Sequence, residues 1–425
     1  MKKIAQKFIL FLLKKKAKAV LNSSAKIIGV TGSVGKTTTK NAIAHVLSSR
    51  YKVLASQEGF NTEIGILLTL LGEHESGFSS PMKWICILWR IFWKKLEIPE
   101  IIVLEYGVDA PGDMDKLLRI AQPSYGVLTK IAPIHLGESQ FPNLEGIRDE
   151  KAKLLFSIPS GGMAILNHDD EKIREIFPQI HGKTCSFGTS PDADYTITEI
   201  KQYDDGISFH VKNDTDSATF RVPLLGIYHI TVLLPAIILG KEFGISLQES
   251  TELLKNFSPP PGRGKILAGK NGSVLWDFSY NSSISSATAA LQTLKEISAQ
   301  RKLALLGNMN EIGKYSAEFH LELGKIAAKY ADEIFFVGKE HEHFAEGVQG
   351  KKPLSIFENA VLAGEHLKNI LTEGDFLLIK GSQNDVFLER AVAKILKNPE
   401  DAKFLCRQGK EWKKGIDKVV RNIVP

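Results

Sequence analysis

The 425-residue sequence predicts an α/β protein built from two parallel-sheet domains behind a basic helix. Three observations predict it. Short apolar strands alternate with helical stretches along most of the chain, the pattern of a mostly parallel sheet covered by helices. A glycine-rich turn joins the first strand to the helix after it. A stiff run, Pro259-Pro260-Pro261-Gly262, separates this alternation from a second one.

Taken in order, residues 1–24 read as one basic amphipathic helix. The first alternation occupies 25–258, with its clearest strands at 26–31, 101–105, 125–129 and 163–167. Polar turns between 195–200, 207–211 and 218–222 suggest a small antiparallel insert. The second alternation, 262–425, has strands at 273–277, 303–307, 333–338 and 376–380. There is no internal repeat or low-complexity tract.

Composition narrows the function classes. Hydrophobic content of 43% and charged content of 24% are ordinary for a globular protein. Cys86, Cys185 and Cys406 lie far apart, which argues against a disulfide framework or a zinc ribbon and fits a reducing cytoplasm. No cleavable signal pattern is expected, since the apolar run 8–13 is short and lacks a small-residue cleavage site. The net charge of +6 arises at the front, where Lys2, Lys3, Lys7, Lys14, Lys15, Lys16 and Lys18 face no acid; the remainder is close to neutral. A second basic cluster, Arg407 to Arg421, closes the chain. Charge at the ends rather than over a folded face argues against a nucleic-acid partner.

A second apolar stretch, Trp84 to Trp93, carries three tryptophans and is edged by Lys83, Lys94 and Lys95. A bilayer span needs about 20 apolar residues, so neither this stretch nor the N-terminal one crosses a membrane. Two readings stand for 1–24 and 83–95: peripheral contact with lipid headgroups, or docking on a neighbouring domain.

The turn is Thr31-Gly32-Ser33-Val34-Gly35-Lys36-Thr37-Thr38, directly behind Ile27-Ile28-Gly29-Val30. Strand, tight turn and helix in that order make a phosphate cradle, because backbone N–H groups and the positive helix end converge on one spot. Lys36 would reach the terminal phosphates of a nucleoside triphosphate and the Thr37 hydroxyl would hold magnesium. Val30 stands where the strict pattern has a glycine. Ile101-Ile102-Val103-Leu104-Glu105 is an apolar strand ending in a carboxylate, a suitable oxygen ligand for magnesium. Many buried strands end in an acid that only faces water, but beside a phosphate loop the metal role is favoured. His135, in a loop, and Lys151, on a helix over 144–156, carry no signal of their own.

These segments resemble the Mur ligases, the ATP-dependent amide-forming enzymes of peptidoglycan precursor synthesis. The resemblance is carried by the phosphate loop, Asn61-Thr62-Glu63-Ile64-Gly65, Glu105-Tyr106-Gly107 and His135-Leu136. Leu144-Glu145-Gly146-Ile147 before Lys151, Asp277-Phe278-Ser279-Tyr280-Asn281, Leu306-Gly307-Asn308 and Lys380-Gly381-Ser382 extend it in the family's order. They are most similar to the branch that adds D-alanyl-D-alanine to a UDP-muramoyl tripeptide. The resemblance implies a central P-loop ATPase domain with a parallel sheet and a C-terminal Rossmann-like α/β domain.

It also implies that Gly32, Ser33, Val34, Gly35, Lys36, Thr37 and Thr38 bind ATP. Thr37, Glu105, His135 and Lys151 would serve magnesium, Lys151 as a carbamate. Arg263, Asp277 and Asn281 would meet the nucleotide from the second domain, and Asn61 and Thr62 would line the substrate side. A cytoplasmic monomer acting on a small-molecule peptide precursor is expected.

There are departures. Ile230 and Leu233 stand where asparagines often meet the adenine. Asn308 and Phe278 replace aspartates, and Gln383 an arginine. The family normally begins with a domain gripping the uridine nucleotide, and 30 residues precede Thr31 here. The expectation is a substrate handle held differently, or a membrane-near substrate. Related readings are a folate polyglutamate ligase, the subunit amidating lipid-linked muropeptide, or a P-loop ATPase without ligase chemistry. The second of these usually carries a cysteine-rich ribbon that three scattered cysteines cannot build.

Overall fold

A run of apolar residues without alternation is what a strand needs when helices cover both its faces. In the computed structural model this is the rule for the central strands. The structure describes residues 2–74, 81–134, 140–310, 312–383 and 385–409, with the side chains of 2–7 and 81 excepted. Two compact units emerge. One holds the described residues up to Glu199 with Phe209–Arg221 and Ile230–Phe257; the other holds Ile200–Ser208, Val222–His229 and the described residues from Ser258 on.

The first sheet comprises β1 (Lys26–Thr31), β2 (Val53–Ala55), β3 (Ile101–Glu105), β4 (Tyr125–Leu128), β5 (Met163–Asn167), β6 (Lys183–Gly188), β7 (Tyr195–Tyr203), β8 (Gly206–Lys212) and β9 (Ser217–Val222). Its order is β2-β3-β1-β4-β5-β6-β7-β8-β9. Parallel pairing of Val30 with Glu105 and with Val127 sets the carboxyl ends of β1, β3 and β4 side by side. β3 and β5 are buried throughout.

β7 to β9 are not a separate insert. Phe187 and Gly188 of β6 pair in parallel with Tyr195 and Thr196, so these strands extend the main sheet. Ala218, Phe220 and Val222 are buried in alternation with exposed neighbours, and the Phe220 ring stacks on Phe209 at 5.3 Å. A one-sided strand carries a period of two, and that period in the sequence was the same whether the strand stood alone or joined a larger sheet.

Helices α1 (Lys2–Leu21), α2 (Lys36–Leu47), α3 (Glu63–Leu70), α4 (Pro81–Trp93), α5 (Asp113–Leu118) and α6 (Leu144–Phe156) belong to the first unit. α1 buries Leu13, Ala17 and Val20, spaced four and three residues apart, in the same apolar cluster that receives Ile87 and Ile91 of α4. The inner faces of both helices are therefore docked. No helix among the described residues is long and apolar enough to cross a membrane.

The second sheet comprises β10 (Lys265–Ala268), β11 (Val274–Phe278), β12 (Arg301–Gly307), β13 (Glu333–Val337), β14 (Leu354–Phe357) and β15 (Asp375–Lys380). Its order is β10-β11-β15-β12-β13-β14, parallel except for β10 against β11. Successive side chains serve opposite faces. Trp276, Ala304, Phe336 and Leu378 enter one apolar cluster, while Leu275, Leu305, Phe335 and Leu377 enter the other.

Arg407 opens the second basic cluster that closes the chain. It is buried against Glu389, with both side chains 2% exposed. The rest of that cluster, from 410 on, lies outside the described residues.

Candidate active site

The phosphate loop takes its shape from positions where only glycine fits. Gly32 has φ +144, and a Cβ there would come within 2.0 Å of Thr129 Oγ1. Gly35 has φ +89, and a Cβ there would meet Val232 Cγ1 at 2.7 Å. The end of β4 braces the loop from the side. Ser33 donates its N–H to Lys130 O at 2.7 Å and its hydroxyl to Ala132 O at 3.0 Å, and Thr129 Oγ1 donates to Val34 O at 2.6 Å. Helix α2 starts at Lys36, and Gly35 provides no side-chain cap. The N–H groups of Lys36, Thr37 and Thr38 thus open an anion site at the positive end of the helix. Lys36 Nζ folds over this turn, donating to Gly32 O at 2.9 Å and Ser33 O at 3.4 Å.

The neighbouring strand end supplies the carboxylate. Thr37 Oγ1 donates to Glu105 Oε2 at 2.9 Å, and Glu105 N donates to Ser56 Oγ at 3.2 Å. Ser56 O in turn accepts from the buried Lys40 ammonium. A hydroxyl and a carboxylate held in contact are hard oxygen donors of the kind magnesium takes. No group of three or more His, Cys, Asp or Glu side chains converges among the described residues.

Lys151 projects from α6 and is 1% exposed. Its Nζ has no hydrogen-bond partner among the described residues. Burial drives its pKa well below that of an ordinary lysine and the Lys36 cation adds to the effect, while the Asp109, Glu150 and Glu105 charges oppose it. The phosphate-loop lysine and the strand-end carboxylate are thus among the charges that act on Lys151. Glu150 beside it is committed elsewhere, accepting from Met114 N at 2.8 Å and pairing with Lys153 at 2.8 Å.

His135 lies outside the described residues. Asn61 reaches the same strand end as Glu105: Gly107 N donates to Asn61 O at 3.0 Å, and a Cβ on Gly107 would be 2.6 Å from Asn61 Nδ2. Thr62 caps α3, its hydroxyl accepting from Gly65 N at 3.4 Å. Sequence reasoning missed Asp109, Ser56 and Thr129. They sit on connecting segments whose role emerges only when β3 and β4 flank β1.

Arg263, Asp277 and Asn281 belong to the second unit. The Arg263 guanidinium lies over the Tyr280 ring at 4.0 Å. Asp277 is buried, and burial raises its pKa; Oδ1 accepts from Ser279 N at 2.9 Å, and Oδ2 has no partner among the described residues. Asn281 Oδ1 accepts from Ser382 Oγ at 2.7 Å, and Asn281 O accepts from Lys380 Nζ at 3.1 Å. Lys380, named in the resemblance but given no role there, contacts the Asn281 carbonyl in this way. It ends an apolar strand as Glu105 does, and that was the available signal. Burial, with Arg263 adding to it, lowers its pKa to about 7.

Among the departures, Ile230 and Leu233 are buried apolar side chains, so neither presents a polar group to a nucleotide base. Phe278 stacks on His229 at 6.2 Å. Asn308 uses its amide at both ends, donating to Asp385 Oδ2 at 3.2 Å and accepting from Glu340 N at 3.2 Å, which an aspartate could not do.

A phosphate loop between a buried parallel strand and an uncapped helix, with a carboxylate on the adjacent strand end, defines a P-loop nucleotide-binding protein. The Mur ligase middle domain matches residues 30–240 and the Mur ligase glutamate ligase domain matches residues 262–383. The chain belongs to the Mur ligase family. It is 29% identical over 393 residues to the UDP-N-acetylmuramoyl-tripeptide–D-alanyl-D-alanine ligase of Bacillus subtilis, covering 91% of this chain and 79% of that one. With the enzyme of the same name from Synechocystis sp. the identity is 31%, over 88% of this chain and 75% of the relative. The crystal structure of MurF ligase from Thermotoga maritima in complex with ADP shares the fold, with a TM-score of 0.76 and 24% identity over 91% of this chain and 83% of that one.

Proposed function

We propose that this chain is an ATP-dependent ligase that joins D-alanyl-D-alanine to a UDP-muramoyl peptide, in a central ATP-binding domain at 25–258 and a C-terminal domain at 262–425. The buried, unpartnered Lys151 amine, within the electrostatic reach of Lys36 and Glu105, supports the reading, because ligase chemistry gives such an amine a role and simple phosphate binding does not. The curated relatives' names support the substrate class.

The reaction needs activation, since hydroxide is a poor leaving group from a carboxylate. Transfer of the terminal phosphoryl group of ATP to the peptide carboxylate gives an acyl phosphate and ADP. The D-alanyl-D-alanine amine attacks the carbonyl carbon, and phosphate leaves as the C–N bond forms and the amine proton passes to solvent. The N–H groups of 36–38 and the Lys36 ammonium hold the phosphates and offset the charge that builds on the transferring group. Thr37 and Glu105 would hold magnesium, which when bound neutralises phosphate charge. A neutral Lys151 amine can add carbon dioxide, releasing one proton, and so present anionic oxygens in place of a cation. Asn61 and Thr62 face the peptide, while Arg263, Asp277 and Asn281 serve the nucleotide from the C-terminal domain. The chain works as a cytoplasmic monomer with peripheral membrane contact through 1–24 and 83–95.

The test is turnover of ATP with UDP-muramoyl tripeptide and D-alanyl-D-alanine, the product read by mass spectrometry. ADP release that requires both acid and amine, with the mass of the joined peptide, is expected. Full ADP release without the amine overturns the ligase reading.

A further inference from the structure

α4 is apolar on its inner and outer sides, with Lys83 and Arg90, seven residues apart, forming a polar edge between them, where Arg90 pairs with Glu73 at 2.7 Å. Trp84, Ile87, Leu88 and Ile91 face the core of the first unit. On the opposite side Met82, Ile85, Trp89, Phe92 and Trp93 are 44–78% exposed. A contiguous apolar face of this kind is normally covered, yet this one lies exposed at the surface. Its edges carry Lys83, Lys94 and Lys95, and no acid occurs between 81 and 96. α1 repeats the arrangement: Phe8 and Phe11 are about 60% exposed, followed on that side by the exposed Lys15 and Lys18. Beside α4, Trp89, Arg90, Trp93 and Lys94 border a hollow of about 540 Å³ against Gly72–His74.

We propose that the outer faces of α4 and α1 bind the surface of a bilayer containing anionic lipid. This deepens the peripheral placement given above and rests on it. Trp89, Phe92 and Trp93 enter the headgroup layer, where an indole keeps its ring among acyl carbons and its N–H in water. Lys83, Lys94, Lys95, Lys15 and Lys18 meet the lipid phosphates. An apolar protein partner or a second copy explains the aromatics but not the exposed Lys94 and Lys95 that flank them; a negatively charged interface explains both. At 13 residues α4 spans about 20 Å, short of a hydrocarbon core of about 30 Å, so it lies in the plane of the surface.

The experiment sediments the full chain with vesicles of phosphatidylcholine alone, or with about one-third phosphatidylglycerol, at low and high salt. Binding to the anionic vesicles with a blue shift of tryptophan emission is expected, with little binding to the neutral ones and release at high salt. Trp89→Ser/Trp93→Ser and, separately, Lys94→Glu/Lys95→Glu should each weaken that binding at least tenfold. All of these side chains are exposed, so both variants should keep the parent's amide formation in vesicle-free solution, a readout that separates this proposal from the ligase reading. Absence of anionic-vesicle binding, equal binding to both compositions, or indifference to both variants overturns the proposal. So does a concentration-dependent dimer, abolished by the tryptophan variant, in a chain that ignores vesicles, which assigns the face to a second copy.

Discussion

Thr37 Oγ1 and Glu105 Oε2 meet at 2.9 Å, joining the first turn of α2 to the end of β3. The pair is made by strand order. β3 lies beside β1 in parallel register, Val30 against Glu105, so the residue that ends one strand faces the helix that follows the other. The contact braces the loop, and on the proposed reading its two oxygens would serve a cation beside bound phosphate.

Glu105→Gln tests that pairing. The amide oxygen still accepts from Thr37, so the fold should persist, but the anionic ligand is gone. Amide formation should fall by roughly 10²–10³, the cost of removing one preorganised electrostatic contact. Steady-state turnover over a magnesium titration reads it, and the half-saturating magnesium concentration should rise. A Glu105→Gln enzyme with the parent's turnover and magnesium dependence removes Glu105 from the site.

Lys151→Ala should abolish amide formation, and acetate or another short carboxylic acid should restore part of it by supplying the missing oxygens. The same residue has a stability signature. Its folded pKa lies below the ordinary 10.5, so the unfolded chain binds the proton more readily. Stability therefore rises with pH between the lowered value and about 10.4, and is lost as pH falls through that window. Lys151→Met should flatten this slope and raise stability at neutral pH by about 1–3 kcal/mol, while remaining inactive. An active Lys151→Met enzyme removes the carbamate from the reaction.

Much of this site could be read in advance because its signals are local. The Gly32–Thr38 turn and the strand-end Glu105 each announce themselves within ten residues. Lys151 does not. On α6 it looks like any helical lysine, and only the packing of that helix shows the amine to be buried without a partner among the described residues. Ser56 is equally silent, since its contact with Glu105 comes from the crossing order of strands far apart in sequence. The fold was legible wherever strands are buried on both faces, as in β1, β3, β5 and β15. The short strands β2, β10 and β14 were missed because three or four residues carry too little periodicity, and β6 because it opens on the exposed polar Lys183 and Thr184. The sheet-extending role of β7 to β9 was missed because period two reports one buried face and says nothing of which sheet owns it.

Lys380 should give the second unit a measurable pH dependence. Its folded value of about 7 lies below the ordinary 10.5, so stability again rises with pH through the window between them. The slope approaches about 1.4 kcal/mol per pH unit, from one proton taken up on unfolding. Hydrogen exchange at the amides of β11 and β15, compared at pH 7 and 9, reads it locally. Lys380→Met should erase the difference. A slope that survives the substitution assigns the proton to another group.

Arg407 and Glu389 make a different prediction, because here both partners are charged and both are buried. Arg407 Nε and Nη2 donate to the two Glu389 oxygens at 2.8 and 2.6 Å. The same guanidinium donates to Tyr280 O at 2.9 Å and Ser279 O at 2.6 Å. It therefore holds the turn between Asp277 and Asn281, whose side chains are assigned to the nucleotide. Arg407→Met leaves a buried carboxylate without its partner and should cost about 3–5 kcal/mol. Arg407→Met with Glu389→Leu removes the stranded charge and should recover most of that loss, by exchange at the β11 and β15 amides. The two released carbonyls are not restored by the double change, so nucleotide binding should stay weakened in both variants. If the double variant regains nucleotide affinity along with stability, Arg407 acts on the turn only through the fold.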